Sequence, residues 1–180
     1  VDANGRPFIV MPLCPGKLED VLQDDGHRNC LSKGYPDKER TVGYIKDLAN
    51  GLDEYHTVWG RVHADLKPDN IMIDDTGSLV INDLGTSTCA RLGWSVSPRD
   101  NMGFANTRAP ECFREDSHPT TRSDVYSASA IVYRLFAPEY PLEDELRNAR
   151  DPKKFFELST FAAYGMYEEY GGAPSSGTIY

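Results

Sequence analysis

His63-Ala64-Asp65-Leu66-Lys67-Pro68-Asp69-Asn70, followed by Asp83-Leu84-Gly85, is the stretch on which the reading of this 180-residue chain turns. Asp65 and Asp83 lie eighteen positions apart, and Asn70 falls between them. Their carboxylate and amide oxygens are hard donors of the kind Mg²⁺ prefers. Transfer of a phosphoryl group asks little covalent chemistry of a protein. It needs a carboxylate to orient a hydroxyl nucleophile, metal ligands at the β- and γ-phosphates, and a cation on the moving charge. Asp65 can be the carboxylate, Asn70 and Asp83 the metal ligands, and Lys67 the cation. Each residue alone has a plainer reading. An isolated Asp-x-x-x-x-Asn is usually a solvated turn, Asp83-Leu84-Gly85 can merely end a strand, and His63 reads as a packing residue. Only the joint pattern lifts them.

Working outward, the stretch links a long helix to a hairpin. Residues 38–56 read as the helix, with Asp37 as N-cap and Val42, Ile45, Leu48, Leu52 and Tyr55 recurring at spacings of three or four. Ile71-Met72-Ile73 and Leu79-Val80-Ile81 read as two strands turning at Thr76-Gly77. Upstream, Asn4-Gly5 is a turn signal before the apolar run Pro7-Phe8-Ile9-Val10-Met11, so residues 1–11 read as a hairpin. Pro15-Gly16 ends it, and residues 17–22 follow as a short helix. Downstream, residues 86–108 are rich in Ser, Thr, Gly, Asn and Arg and read as a long mobile loop. A second helix spans residues 123–136, capped by Thr120, Thr121 or Ser123, with Val125, Ala128, Ile131, Val132 and Leu135 at helical spacing. Asp151-Pro152 opens a third, and residues 171–180 read as a flexible tail.

Composition sets limits on partners. Nineteen basic against 28 acidic residues give a net charge of −9, which disfavours nucleic acid and anionic lipid as partners. No apolar run approaches the ~20 residues of a membrane helix, and no secretory signal opens the chain. The four cysteines lack a C-x-x-C spacing, and His27 with Cys30 has no second pair, so a zinc site is not expected. Reduced thiols in an intracellular, cytoplasmic protein are the expectation. The chain begins at Val1 without a methionine and reads as a piece of something longer.

The central stretch resembles the catalytic loop H-R-D-L-K-x-x-N of eukaryotic-type protein kinases, and Asp83-Leu84-Gly85 resembles D-F-G. Ala109-Pro110-Glu111 matches the A-P-E that closes the activation segment. Ser123-Asp124-Val125-Tyr126-Ser127 resembles the start of the buried helix that anchors it. Phe8-Ile9-Val10-Met11-Pro12-Leu13 resembles the fifth strand and the hinge to the upper lobe. Five landmarks stand in family order over residues 8–136.

The resemblance implies a mainly α (α+β) fold, a kinase-like C-terminal lobe over residues 1–170. Residues 1–16 would be the hinge region and residues 85–111 the activation segment. It implies ATP and Mg²⁺ as cofactors and a protein substrate or partner protein. Asp65 would be the catalytic base, Lys67 the γ-phosphate contact, and Asn70 and Asp83 the Mg²⁺ ligands. Around ATP, Met11 would be the gatekeeper, Pro12 and Cys14 would face the adenine edge, and Met72 would form the floor, with Asp69 beside the nucleotide. His63, Leu84, Gly85, Glu111 and Asp124 would be structural, Asp124 holding the catalytic-loop backbone and Glu111 pairing with Arg147 or Arg150. Lys67-Pro68 is the form typical of serine/threonine kinases.

Three departures qualify these expectations. Ala64 replaces the arginine that receives an activation-loop phosphate, so phosphorylation of Thr86, Ser87, Thr88, Ser95, Ser97 or Thr107 would not switch the loop in the usual way. Leu84 stands where phenylalanine is common. No G-x-G-x-x-G or V-A-I-K-like lysine of an upper lobe occurs. Two other functions therefore stay open. One is a non-catalytic, pseudokinase-like binding or scaffold module. The other is a small-molecule phosphotransferase of the aminoglycoside type, whose loop has a glycine where Ala64 stands.

Overall fold

A computed structural model describes residues 5–6, 10–24, 26–28, 37–83, 88–89, 106–113, 119–140 and 143. Strand β1 (Gly16–Lys17) leads into helix α1 (Leu18–Gln23), and the long helix α2 (Lys38–Asp53) runs on through one π-helical turn, Glu54–Val58. Then come β2 (Arg61–Val62), a 3-10 turn (Pro68–Asn70), β3 (Ile71–Ile73) and β4 (Leu79–Ile81). Strand β5 (Thr88–Cys89), a second 3-10 turn (Pro110–Phe113) and α3 (Thr121–Phe136) complete the order.

Helix α2 starts where the sequence puts it, because the Asp37 carboxylate accepts a hydrogen bond from the Arg40 amide at 3.1 Å. Its buried stripe is Thr41, Tyr44, Leu48, Leu52 and Tyr55. Val42, expected on that stripe, is instead about half exposed, at 46%. The first turn faces the core one position earlier than apolar counting suggests. Tyr44 can bury its ring there because its hydroxyl takes a hydrogen bond from Arg40 Nε at 2.8 Å.

Helix α3 is capped by Thr120, whose hydroxyl accepts from the Ser123 amide while Ser123 Oγ accepts from the Thr120 amide. Ala128, Ile131 and Leu135 are buried and Val132 packs beside them, as expected, but Val125 points to solvent. The core joins these three to Leu18 and Leu22 of α1, Tyr44, Leu48 and Leu52 of α2, Leu66, Ile71 and Leu79. Burying each such aliphatic side chain contributes about 1.5–3 kcal/mol. Arg134 is buried within α3 and donates to the carbonyls of Leu22 and Ala137, which ties α1 to the end of α3.

The hairpin β3–β4 is antiparallel, with Ile71 opposite Ile81 and Ile73 opposite Leu79. Its turn forms because Asp74 Oδ1 accepts from the Thr76 and Ser78 amides and from the Thr76 hydroxyl, while Gly77 adopts a φ of 86°. Those hydrogen bonds, the Thr76 hydroxyl first, hold the Asp74 carboxyl below its ordinary range. Helix α2 lies close over β4. A Cβ at Gly51 would stand 3.1 Å from Ile81 Cδ1, and Asp47 accepts from the Leu79 amide at 3.0 Å.

Two short pairings were not expected. Gly16–Lys17, read as a break and a helix start, adds a third strand to the sheet, antiparallel to β3. Thr88–Cys89, read as mobile loop, pairs with β2 in a second sheet. The expected strand through Met11 is not formed by its described part. Residues 10–13 carry no strand, and Val10, Met11 and Leu13 are 83%, 61% and 93% exposed. Residues 1–4 and 7–9, most of the loop 86–108, the third helix and the tail lie outside the described residues.

Candidate active site

The site is built on the backbone between β2 and β3, and one side chain from α3 holds it. Asp124 is 1% exposed, yet its carboxylate is well satisfied. Oδ2 accepts from the His63 amide at 2.8 Å and contacts His56 Nε2 at 2.9 Å, while Oδ1 accepts from the Ala64 amide at 3.0 Å. These bonds fix Ala64 in the left-handed region, at φ 70°, where an alanine costs about 1–2 kcal/mol. The strain is local and turns the chain so that Asp65 leaves the core.

His63 is fully buried and spends both ring nitrogens on backbone. Nε2 lies 2.9 Å from the Asn82 carbonyl and so donates, and Nδ1 accepts from the Asp65 amide at 3.3 Å. The ring thereby joins the loop around Asp65 to the residue before Asp83. Tyr55 packs on it with centroids 5.9 Å apart.

Asp65, Lys67 and Asn70 meet. Lys67 Nζ donates to Asp65 Oδ2 at 2.8 Å. Asn70 Nδ2 donates to the same oxygen at 3.1 Å and to the Asp65 carbonyl at 2.8 Å. Its nitrogen end is thus committed, and its oxygen end is the one left for a cation. Asp83 is brought alongside through the backbone, since the Asn82 amide donates to the Asn70 carbonyl at 2.8 Å. Asp83 is exposed and, like Ala64, left-handed, at φ 61°. An amide oxygen and a carboxylate at neighbouring positions fit Mg²⁺, which takes one or two protein oxygens and keeps the rest for water and phosphate. Among the described residues no cluster of three or more His, Cys, Asp or Glu could hold a metal ion, and Cys30 lies outside the described residues.

The other expected residues are more scattered. Met72 lies on the central strand of the three-stranded sheet, half-buried between Lys17 and Val80. Cys14 is half-buried, and Met11 and Pro12 are exposed. Asp69 sits on the 3-10 turn, 3.7 Å from Lys17 Nζ. Glu111 is exposed on the second 3-10 turn, close enough to push Tyr126, already raised by burial, to about 12. Cys112 beside it is pushed up to about 11 by burial, which makes it a poor nucleophile. Thr107 is buried, which removes it from the hydroxyls a phosphorylating enzyme could reach in this conformation. Leu84, Gly85, Arg147 and Arg150 lie outside the described residues.

Sequence reasoning missed His56 and Lys17. His56 lies four positions past Leu52, on the side of α2 that turns inward through the π-helical turn, so helical spacing carried a faint signal. Lys17 carried none, because its place depends on a two-residue strand.

The sequence is similar to those of known proteins. The family model described as protein kinase domain matches residues 2–170. The serine/threonine-protein kinase PknL of Mycobacterium tuberculosis is 32% identical over 140 residues, covering 77% of this chain and 33% of PknL. PknK, a serine/threonine-protein kinase of the same organism, is 34% identical over 132 residues, covering 73% of this chain and 11% of PknK. CBL-interacting protein kinase 24 of Oryza sativa subsp. japonica is 32% identical over 102 residues, 57% of this chain and 22% of that protein. The chain thus spans a third or less of the length of these relatives. Among the described residues no helix is long and apolar enough to cross a membrane. With the match running over nearly its whole length, the chain belongs to the eukaryotic-type protein kinase family.

Proposed function

We propose that this chain carries the phosphoryl-transfer centre of a serine/threonine-type protein kinase, built on the C-terminal lobe of that fold and using ATP with Mg²⁺. The observation that carries the reading is the convergence of Lys67 Nζ and Asn70 Nδ2 on Asp65 Oδ2. Both contacts fall on one oxygen, so Oδ1 is the oxygen left to accept the proton of an acceptor hydroxyl. Lys67, a fifth exposed, can turn from Asp65 toward a γ-phosphate and neutralise the charge that develops there. Asn70 and Asp83 would hold Mg²⁺, which supplies charge neutralisation at the β- and γ-phosphates. Met72 would underlie the adenine, Met11 would stand beside it as gatekeeper, and the Pro12 carbonyl and Cys14 amide would meet its edge. The names of the relatives support a serine or threonine acceptor.

A second reading has one specific observation behind it. Met11 and Leu13 are largely exposed, so the adenine side of the site is open on one flank. A lobe of that kind could serve as a binding module without transfer. Titrating ATP against the chain with and without Mg²⁺ separates the two. The catalytic reading expects Mg²⁺ to strengthen ATP binding and Asp83→Asn to lose about tenfold or more of that gain, since even groups behind metal ligands are worth as much. ATP binding that ignores both Mg²⁺ and the variant would favour the scaffold.

A further inference from the structure

We propose that His56 is a positioning residue of the transfer centre: by gripping Asp124 from the end of α2, it holds the left-handed turn at Ala64 that aims Asp65. The inference rests on the kinase reading above and adds a residue to the same site. Asp124 belongs to α3, and the two amides it binds belong to the loop after β2, so those bonds alone tie the loop to one helix. His56 stands on the π-helical turn Glu54–Val58 and meets the same carboxylate at 2.9 Å. That turn is closed by the Trp59 amide donating to the Glu54 carbonyl at 3.3 Å, five positions back, so it holds one residue more than an α-helical turn. With His56 in place, one carboxylate joins both helices to the loop.

The surroundings give this histidine its leverage. A carboxylate accepts and cannot donate, so Nε2 carries the proton in the contact with Asp124. The two side chains are 11% and 2% exposed, which leaves water little access to take the place of His56. Charge-assisted hydrogen bonds of this kind are the strong ones. Ala64, at φ 70°, has only a methyl group and can add no polar tie of its own. A strained backbone persists only where its surroundings over-determine it, and here they do so through Asp124. Asp65 follows directly, and its amide reaches His63 Nδ1 at a long 3.3 Å, so relaxation at Ala64 swings Asp65 with it. Asn70 and Asp83 are held separately, through the bond from the Asn82 amide to the Asn70 carbonyl. The effect of His56 therefore falls on the acceptor hydroxyl rather than on ATP.

The test compares the whole chain with His56→Leu, which fills the space without a donor, and with His56→Gln, whose amide keeps one. His56→Leu is expected to lower kcat for a serine-bearing protein acceptor roughly ten- to a hundredfold, the scale of a displacement of about 1 Å. KM for ATP should not move. His56→Gln is expected to regain most of the loss. Ala64→Gly added to His56→Leu should regain part of it, because glycine takes a positive φ without strain. Amide hydrogen exchange at His63 and Ala64, which needs no activity, should quicken in His56→Leu and slow again in His56→Gln. A loss as deep in His56→Gln as in His56→Leu, a loss confined to KM for ATP, or unmoved exchange would overturn the assignment. Exchange that follows the donor without transfer in any protein, wild type included, supports the hold by His56 and counts against catalysis. Transfer that ignores all three variants does the reverse.

Discussion

Asp65→Asn is expected to lower phosphoryl transfer by roughly 10²- to 10⁴-fold, the usual scale for losing a general base. The variant keeps the size and shape of the side chain. Its amide oxygen can still receive Lys67 Nζ and Asn70 Nδ2 in the place of Oδ2. The amide nitrogen then occupies the Oδ1 position and presents hydrogens to the acceptor hydroxyl, where an acceptor is needed. Binding of ATP with Mg²⁺ should stay as it was, because Asn70 and Asp83 are untouched. The loss should therefore appear in kcat with little change in KM for ATP. A variant that instead kept kcat and lost ATP affinity would show that Asp65 belongs to nucleotide binding.

Asp124→Ala is expected to have the largest effect on stability, about 3–5 kcal/mol, the scale of breaking a buried hydrogen-bond network. The deletion strands the amides of His63 and Ala64 and the ring of His56, all of which now meet one carboxylate. Each buried donor left without a partner costs about 1–3 kcal/mol. It also frees Ala64 from the bond that offsets its left-handed backbone. Asp124→Asn is a milder probe, because one oxygen still accepts although the other becomes an N–H that faces another N–H. In a chain of this length the alanine variant should melt roughly 10 °C or more below wild type. A shift of only a degree or two would mean that the catalytic loop holds its shape without α3.

These expectations separate what the residues announce locally from what only the fold reveals. Asp65, Lys67 and Asn70 lie within six positions, so their meeting is close to a local property of a loop entering a 3-10 turn. Helix α2 was legible because its apolar spacing is helical. Its first turn was misplaced because hydropathy counts Val42 as core and Thr41 as surface, whereas a tyrosine with a satisfied hydroxyl sets the stripe. The cap of α3 was legible to within the three residues considered, and Thr120 is the one. The anchoring role of Asp124, implied by family resemblance, has its geometric basis in contacts 60 to 68 positions apart. No periodicity encodes such contacts. His56 was only faintly legible, from its place four positions past Leu52, and Lys17 was invisible because two-residue strands leave no pattern. The expected strand through Met11 rested on the Asn4-Gly5 turn signal, on apolar content and on the family resemblance. A strand also needs a partner, and among the described residues Val10 and Met11 have none.

The central claim is that the Asp65, Asn70 and Asp83 constellation performs Mg²⁺-dependent transfer of the γ-phosphoryl group of ATP. Its most direct test is to incubate the chain with γ-labelled ATP, Mg²⁺ and a general serine- and threonine-bearing protein acceptor, in parallel with Asp83→Asn. Label on serine or threonine that depends on Mg²⁺ and disappears with Asp83→Asn is the predicted result. Transfer at the wild-type rate by the variant, or none by the wild-type chain, would contradict it.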